Sequence, residues 1–224
     1  MGPHVGEPAL AVIVVGMSAG ALYGLKTMIR GLPPRYSAAI VIAHHVAAPS
    51  ILPDLLSRWT DHECRFASAG EELQCGTIYV APAQHHVMIN PDLTIGVSGR
   101  ERVRFVRPSV DWLFESAAES FAERAIAVVL SGANDDGAQG ATCITRAGGK
   151  LIVQDPDTCE YPQMPSAVIA TGAPHERLHP CEIGAALARA LVRIETEARQ
   201  VCYPFSDEGL MVLSPPSAEL LLSS

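Results

Sequence analysis

The sequence has no excess of positive charge: 16 Lys and Arg stand against 24 Asp and Glu, a formal net charge of −8 over 224 residues. Nucleic acid and anionic membrane surfaces are bound through basic patches, so neither partner class is expected. There is no C-x-x-C pair. The six cysteines (Cys64, Cys75, Cys143, Cys159, Cys181 and Cys202) are scattered through apolar segments. That pattern fits buried thiols in a reducing cytosol better than a disulfide framework, so a cytoplasmic protein is expected. No apolar run approaches the length of a bilayer span, and no basic stretch precedes the first apolar run as in a signal peptide. The spacings H-x-x-E-H and H-x-H are absent. The one H-E-x-x-H string, His175-Glu176-Arg177-Leu178-His179, lies in a loop-like segment flanked by prolines and not on a helix that would bring both rings to one face. His44, His45, His85 and His86 come as adjacent pairs whose side chains would diverge on a strand, so no metal site is expected. Neither G-x-G-x-x-G nor G-K-[ST] occurs, which removes the common nucleotide loops. No cofactor is expected, and no internal repeat is visible.

What is present is 48% hydrophobic residues, enough for one domain with a sizeable core, expected over 10–199. Residues 1–9 read as a disordered lead and 200–224 as a tail without a clear period. The organising stretch is Ala11-Val12-Ile13-Val14-Val15-Gly16-Met17-Ser18-Ala19-Gly20. Its apolar half reads as a strand buried on both faces. Gly16 and Gly20 bracket a tight turn, and Leu22, Leu25 and Ile29 then recur at helical spacing. The string Gly-x-Ser-x-Gly puts the Ser18 hydroxyl at a strand-to-helix turn, with the Ala19 N–H beside it as a donor to a developing oxyanion. A serine there can equally serve only as a helix cap.

Ala39–Ala43 reads as a second buried strand leading into His44-His45, so strand, helix and strand form a right-handed parallel crossover. A short helix is expected over 52–59 and a strand over 77–80. A hairpin then joins 87–89 and 93–97 through Asn90-Pro91-Asp92. Four arginines (Arg100, Arg102, Arg104, Arg107) form either a solvated charge run or a binding edge for an acidic partner. An amphipathic helix is expected over 108–122, with Pro108 in its first turn and Asp111 opposing its dipole. A strand over 125–130 ends in Ser131-Gly132-Ala133-Asn134-Asp135-Asp136-Gly137 before a helix at 138–147. A strand at 150–154 and helices at 165–171 and 181–199 complete the pattern. The fold class is α/β: a doubly wound, mostly parallel sheet with helices on both faces and a small antiparallel hairpin excursion.

In such a sheet, chemistry collects at the carboxyl ends of the strands. Ser18, His45 and the Asp135-Asp136 pair each follow such an end, which supplies a nucleophile, a base and an orienting carboxylate. The order Ser, His, Asp differs from the Ser, Asp, His of an α/β-hydrolase. His175 or His179 would be rival bases, and either aspartate could instead cap the following helix.

Six blocks in register carry a resemblance: Gly16–Gly20, Ile42–His45, Gly76–Pro82, Arg107–Asp111, Leu130–Gly137, and Gln154-Asp155 with Met164-Pro165. Over residues 10–195 they resemble the catalytic domain of CheB, the chemotaxis protein-glutamate methylesterase. The resemblance implies hydrolysis of glutamyl methyl esters on a methyl-accepting chemotaxis receptor, with glutamine deamidation as a companion activity. It implies a triad of Ser18, His45 and Asp136, with oxyanion donors at the backbone of Ala19 and of Ala133. The chain departs from the family pattern at Ala19, at His44 and the residues after His45, and in the turn Asn134-Asp135-Asp136-Gly137. The receiver domain of a response-regulator methylesterase does not fit within residues 1–9. The expectation is no direct phosphorylation control, control through a separate receiver-domain protein, or a sequence that is a piece of a longer protein. A methylesterase-like binding module without turnover, or an esterase or amidase for another substrate, are the alternatives.

Overall fold

A computed structural model describes residues 6–45, 50–103 and 105–202. In chain order its strands are β1 (Ala11–Met17), β2 (Ala38–His44), β3 (Glu63–Phe66), β4 (Thr77–Val80), β5 (His86–Ile89), β6 (Ile95–Ser98), β7 (Ala125–Val129), β8 (Lys150–Gln154) and β9 (Glu176–Leu178). Its helices are α1 (Leu22–Arg30), α2 (Leu52–Leu56), α3 (Val110–Phe121), α4 (Ala138–Arg146), α5 (Gln163–Ala170) and α6 (Pro180–Cys202). Seven strands form one parallel sheet in the order β3-β4-β2-β1-β7-β8-β9, and β5-β6 is a separate antiparallel hairpin.

The central strand explains the layering. Every residue of β1 is buried, and successive side chains face opposite ways. Val12 and Val14 join Val41, Ala127 and Val129 beneath Leu113 and Phe114 of α3, Ile144 of α4, Val168 of α5 and Val87 of the hairpin. Ile13 and Val15 join Ile40, Ile42 and Val128 beneath Leu25 and Met28 of α1, Leu56 of α2 and Leu187 of α6. Both faces are therefore covered, as a parallel sheet requires.

The order in which strands are added to the sheet reverses beside β1: β2 lies on one flank and β7 on the other. The carboxyl ends of β1, β2 and β7 consequently border the crevice where such a sheet receives ligands.

Two strands lie where the sequence predicts none. β3 and β9 are short edge strands of four and three residues. They are polar and only partly buried, so neither shows an apolar run. Arg65 of β3 pairs with Glu63 and Glu71, and on β9 Glu176 pairs with Lys150 while Arg177 pairs with Asp155 and Asp157. α1 ends at Arg30 with Gly31 as its C-cap. α6 continues through Cys202, past the expected domain end at 199; the remainder of the 200–224 segment and most of the 1–9 lead lie outside the described residues.

α1 and α6 meet at a glycine pair. A methyl group built on Gly184 would stand 2.6 Å from Gly31 Cα and 2.7 Å from Met28 O. Both are backbone atoms that cannot swing aside. Gly184→Ala is therefore expected to lower stability by about 1–3 kcal/mol, the usual cost of overpacking. Urea unfolding checks this, and an unchanged midpoint would show that the two helices separate freely.

Candidate active site

Ser18 follows β1 directly, in a turn through Ala19 and Gly20. Gly20 holds φ +73, and a Cβ there would lie 2.7 Å from Glu160 Cβ, so the turn requires glycine twice over. The residue flanking α1 is Ala21, with no side-chain cap, so Ser18 does not serve as the helix cap that its position allows. Its backbone is tied to the neighbouring strand end: Ser18 N–H donates to Ser131 O at 3.0 Å. Ser131 Oγ donates to Ala19 O at 2.8 Å and accepts from Tyr161 N–H at 3.1 Å, while Gln154 Oε1 accepts from Ser131 N–H. The turns after β1, β7 and β8 are thus stitched into one rim.

His45 follows β2, whose register aligns His44 with Met17, and His45 N–H donates to Met17 O at 3.1 Å. Its Nε2 donates to Asp136 Oδ2 at 2.8 Å. The imidazole is 11% exposed and the carboxylate 2%. Of the adjacent pair, His45 and not His44 therefore meets the carboxylate. His44 Nδ1 is buried without a hydrogen-bond partner among the described residues, and burial followed by the charge of His45 pushes its pKa down.

Asp136 accepts four hydrogen bonds. Oδ2 takes the His45 ring and the Val110 N–H (2.6 Å), and Oδ1 takes the Asp111 N–H (3.1 Å) and the Ser109 hydroxyl (3.2 Å). Three of these donors belong to the start of α3, where unpaired amides and the positive dipole end favour an anion. Of the two expected cap candidates, Asp136 therefore serves α3 and not the helix that follows it. α4 is capped instead by Asp111, whose Oδ1 accepts from Gly137 and Gly140 N–H at 3.0 and 2.8 Å. Asp111 lies in the first turn of α3, as expected, and its carboxylate reaches across to α4; the place of Pro108 is corrected, since Ser109 is the N-cap of α3 and Pro108 precedes it.

The amides of Ala19 and Ala133 lie on exposed residues of this rim, and neither has an acceptor among the described residues. The remaining candidates lie elsewhere. His175 precedes β9, at the opposite end of the sheet's outermost strand, and His179 sits three strands from β1. At about 4.8 Å per strand that separation is roughly 14 Å. His85 is bonded to Ala83 O, and buried His86 donates to Glu101 O and accepts from Ser109 N–H. Arg107 turns inward to Gly99 O and Arg100 O, whereas Arg100 and Arg102 are exposed; Arg104 lies outside the described residues, as do residues 46–49 after His45. Sequence reasoning passes over Asn134, whose amide Nδ2 donates to His45 Nδ1 at 3.2 Å. A polar residue in a polar turn gives no periodic signal. Sequence reasoning also passes over Ser109, both as the N-cap of α3 and as a donor to Asp136.

The CheB methylesterase family model matches residues 13–187. A Leptospira interrogans protein whose name carries both protein-glutamate methylesterase and protein-glutamine glutaminase is 43% identical over 162 residues, 71% of this chain and 84% of that protein. A Pseudomonas fluorescens protein-glutamate methylesterase/protein-glutamine glutaminase is 33% identical over 76% of this chain, which spans 52% of that relative. The Thermotoga maritima CheB methylesterase catalytic domain superposes with a TM-score of 0.76 at 30% identity, covering 80% of this chain and 97% of that domain.

Burial pushes the Asp136 carboxyl up, but the hydrogen bonds from His45, Val110 N–H and Asp111 N–H outweigh it, and its pKa lies below the ordinary value. A depressed carboxylate contributes stability that is full above the unfolded value of about 3.9 and is lost as pH falls through the folded value. Asp136→Asn is expected to cost on the order of 3 kcal/mol at neutral pH. The gap between wild type and variant should narrow as pH drops below about 4. Denaturant titrations from pH 7 to pH 3 check the sign: a constant gap would mean that the charge of Asp136 does not stabilise the fold.

Proposed function

Because this chain belongs to the CheB methylesterase family, we propose that it hydrolyses methyl esters of glutamate side chains on a methyl-accepting chemotaxis receptor, with Ser18, His45 and Asp136 as its catalytic groups. The observation that carries the reading is the buried Asp136–His45 hydrogen bond at the strand ends that flank the Ser18 turn.

Ser18 Oγ attacks the γ-carbonyl carbon while its proton passes to His45 Nδ1, the ring nitrogen that carries the lone pair when Nε2–H is given to Asp136. Asp136 stabilises the imidazolium that forms. The amides of Ala19 and Ala133 receive the oxyanion. Collapse of the tetrahedral intermediate breaks the bond to the methoxy group, which takes the proton from His45 and leaves as methanol. Water, deprotonated by the same ring, then attacks the acyl-serine and releases the glutamate carboxylate and Ser18. On a glutamine side chain the same sequence releases ammonia, in keeping with the second activity in the relatives' names.

Ser18→Ala is expected to lower methanol release from methylated receptor by at least about a thousandfold, and to abolish labelling by a fluorophosphonate ester. Methanol release at the wild-type rate would remove Ser18 from the chemistry. Wild-type protein inert to both reagents would favour a binding module.

A further inference from the structure

The contact between Asn134 and the catalytic imidazole is unexplained by the steps above. Asn134 lies half-buried in the turn after β7. Its orientation is set from both ends: Oδ1 accepts the Asp136 N–H at 3.3 Å, and Nδ2 points at His45 Nδ1, 3.2 Å away. The imidazole is fixed equally well. Asp136 Oδ2 also accepts the Val110 N–H and is an ionised acceptor, so the ring must give it Nε2–H. The lone pair then lies on Nδ1, and the amide N–H of Asn134 occupies it.

A ring nitrogen has one lone pair. The Ser18 hydroxyl and the Asn134 amide therefore compete for one acceptor, and the hydroxyl cannot be deprotonated until the amide withdraws. We propose that Asn134 is a latch on His45: a positioning residue that holds the ring in its working tautomer and occupies the base nitrogen in the resting enzyme, so that each attack by Ser18 begins with release of the Asn134–His45 bond. The latch rests on the reading of Ser18 as nucleophile and His45 as base, and adds to it a restraint that belongs to this chain's Asn134-Asp135-Asp136-Gly137 turn.

The experiment compares wild type, Asn134→Ala and Asn134→Asp in their labelling rate with a small fluorophosphonate ester, alongside nitrogen-15 spectra of the His45 ring and thermal unfolding. Asn134→Ala is expected to label about fivefold faster, the equivalent of one hydrogen bond of ordinary net strength. Its His45 Nδ1 resonance should move towards that of an unbonded lone pair while Nε2 stays put, a change that loss of a merely structural contact elsewhere in the turn would not produce. Asn134→Asp keeps an oxygen for the Asp136 N–H but places an anionic acceptor against Nδ1, which holds a proton there; it is expected to label more slowly than wild type. Labelling of wild type and Asn134→Ala at one rate, or slower labelling of a folded Asn134→Ala, overturns the latch alone. So does an unmoved Nδ1 resonance. Inertness of both proteins overturns the assignment of Ser18, and the latch falls with it.

Discussion

Two carboxylates exchanged between two helices hold this site in place. Asp136 stands in the turn before α4 yet accepts the first amides of α3, and Asp111 stands in the first turn of α3 yet accepts amides at the start of α4. Each acid meets the positive end of the helix it does not precede or belong to, where N–H groups would otherwise lack partners. Neither helix can shift along the sheet without stranding donors of the other. The carboxylate that orients His45 is consequently held by the packing of α3 on α4, and not by the short polar turn that carries it in sequence. This is why a residue between Asp135 and Gly137 is only 2% exposed.

How much of this was legible depended on burial. β1, β2, β7 and β8 were visible because strands covered on both faces need continuous apolar runs, and their order with α1, α3 and α4 between them implied the doubly wound sheet. The placement of Ser18, His45 and Asp136 on one rim was legible for a topological reason: each follows a strand end, and a parallel sheet delivers those ends to one side. The edge strands β3 and β9 were not legible, since a half-exposed strand of three or four residues carrying Glu and Arg has the composition of a loop. The exchange of Asp111 and Asp136 was invisible as well. A cap is read from nearby residues, whereas these two reach 25 to 29 positions along the chain. Asn134 belongs to the same class, 89 residues from the ring that it touches.

Around the imidazole, the structure separates what aims the ring from what could react with it. Aiming comes from β2, which delivers His45 in register with β1, and from the carboxylate below it. The Ser18 turn depends on other groups: the Ser131 hydroxyl and the Gln154 amide knit the ends of β1, β7 and β8 together without touching His45. The two supports are independent, so a change in one need not disturb the other. Between them lies the turn from Ala133 to Asp136, which contributes a backbone donor, an amide side chain and the carboxylate within four successive residues. Small sequence changes there act on more than one part of the site at once.

A parallel sheet seven strands wide has two open flanks, each presenting main-chain groups that another extended chain could pair with. Here both flanks end in brief strands studded with opposite charges, the arginine of β3 gripped by two glutamates and the β9 residues by Lys150, Asp155 and Asp157. An incoming strand would have to disperse those ion pairs before gaining more than three or four residues of ladder. The same brevity that hid these strands in the sequence makes the sheet self-terminating, and so guards a β-rich core against edge-to-edge aggregation.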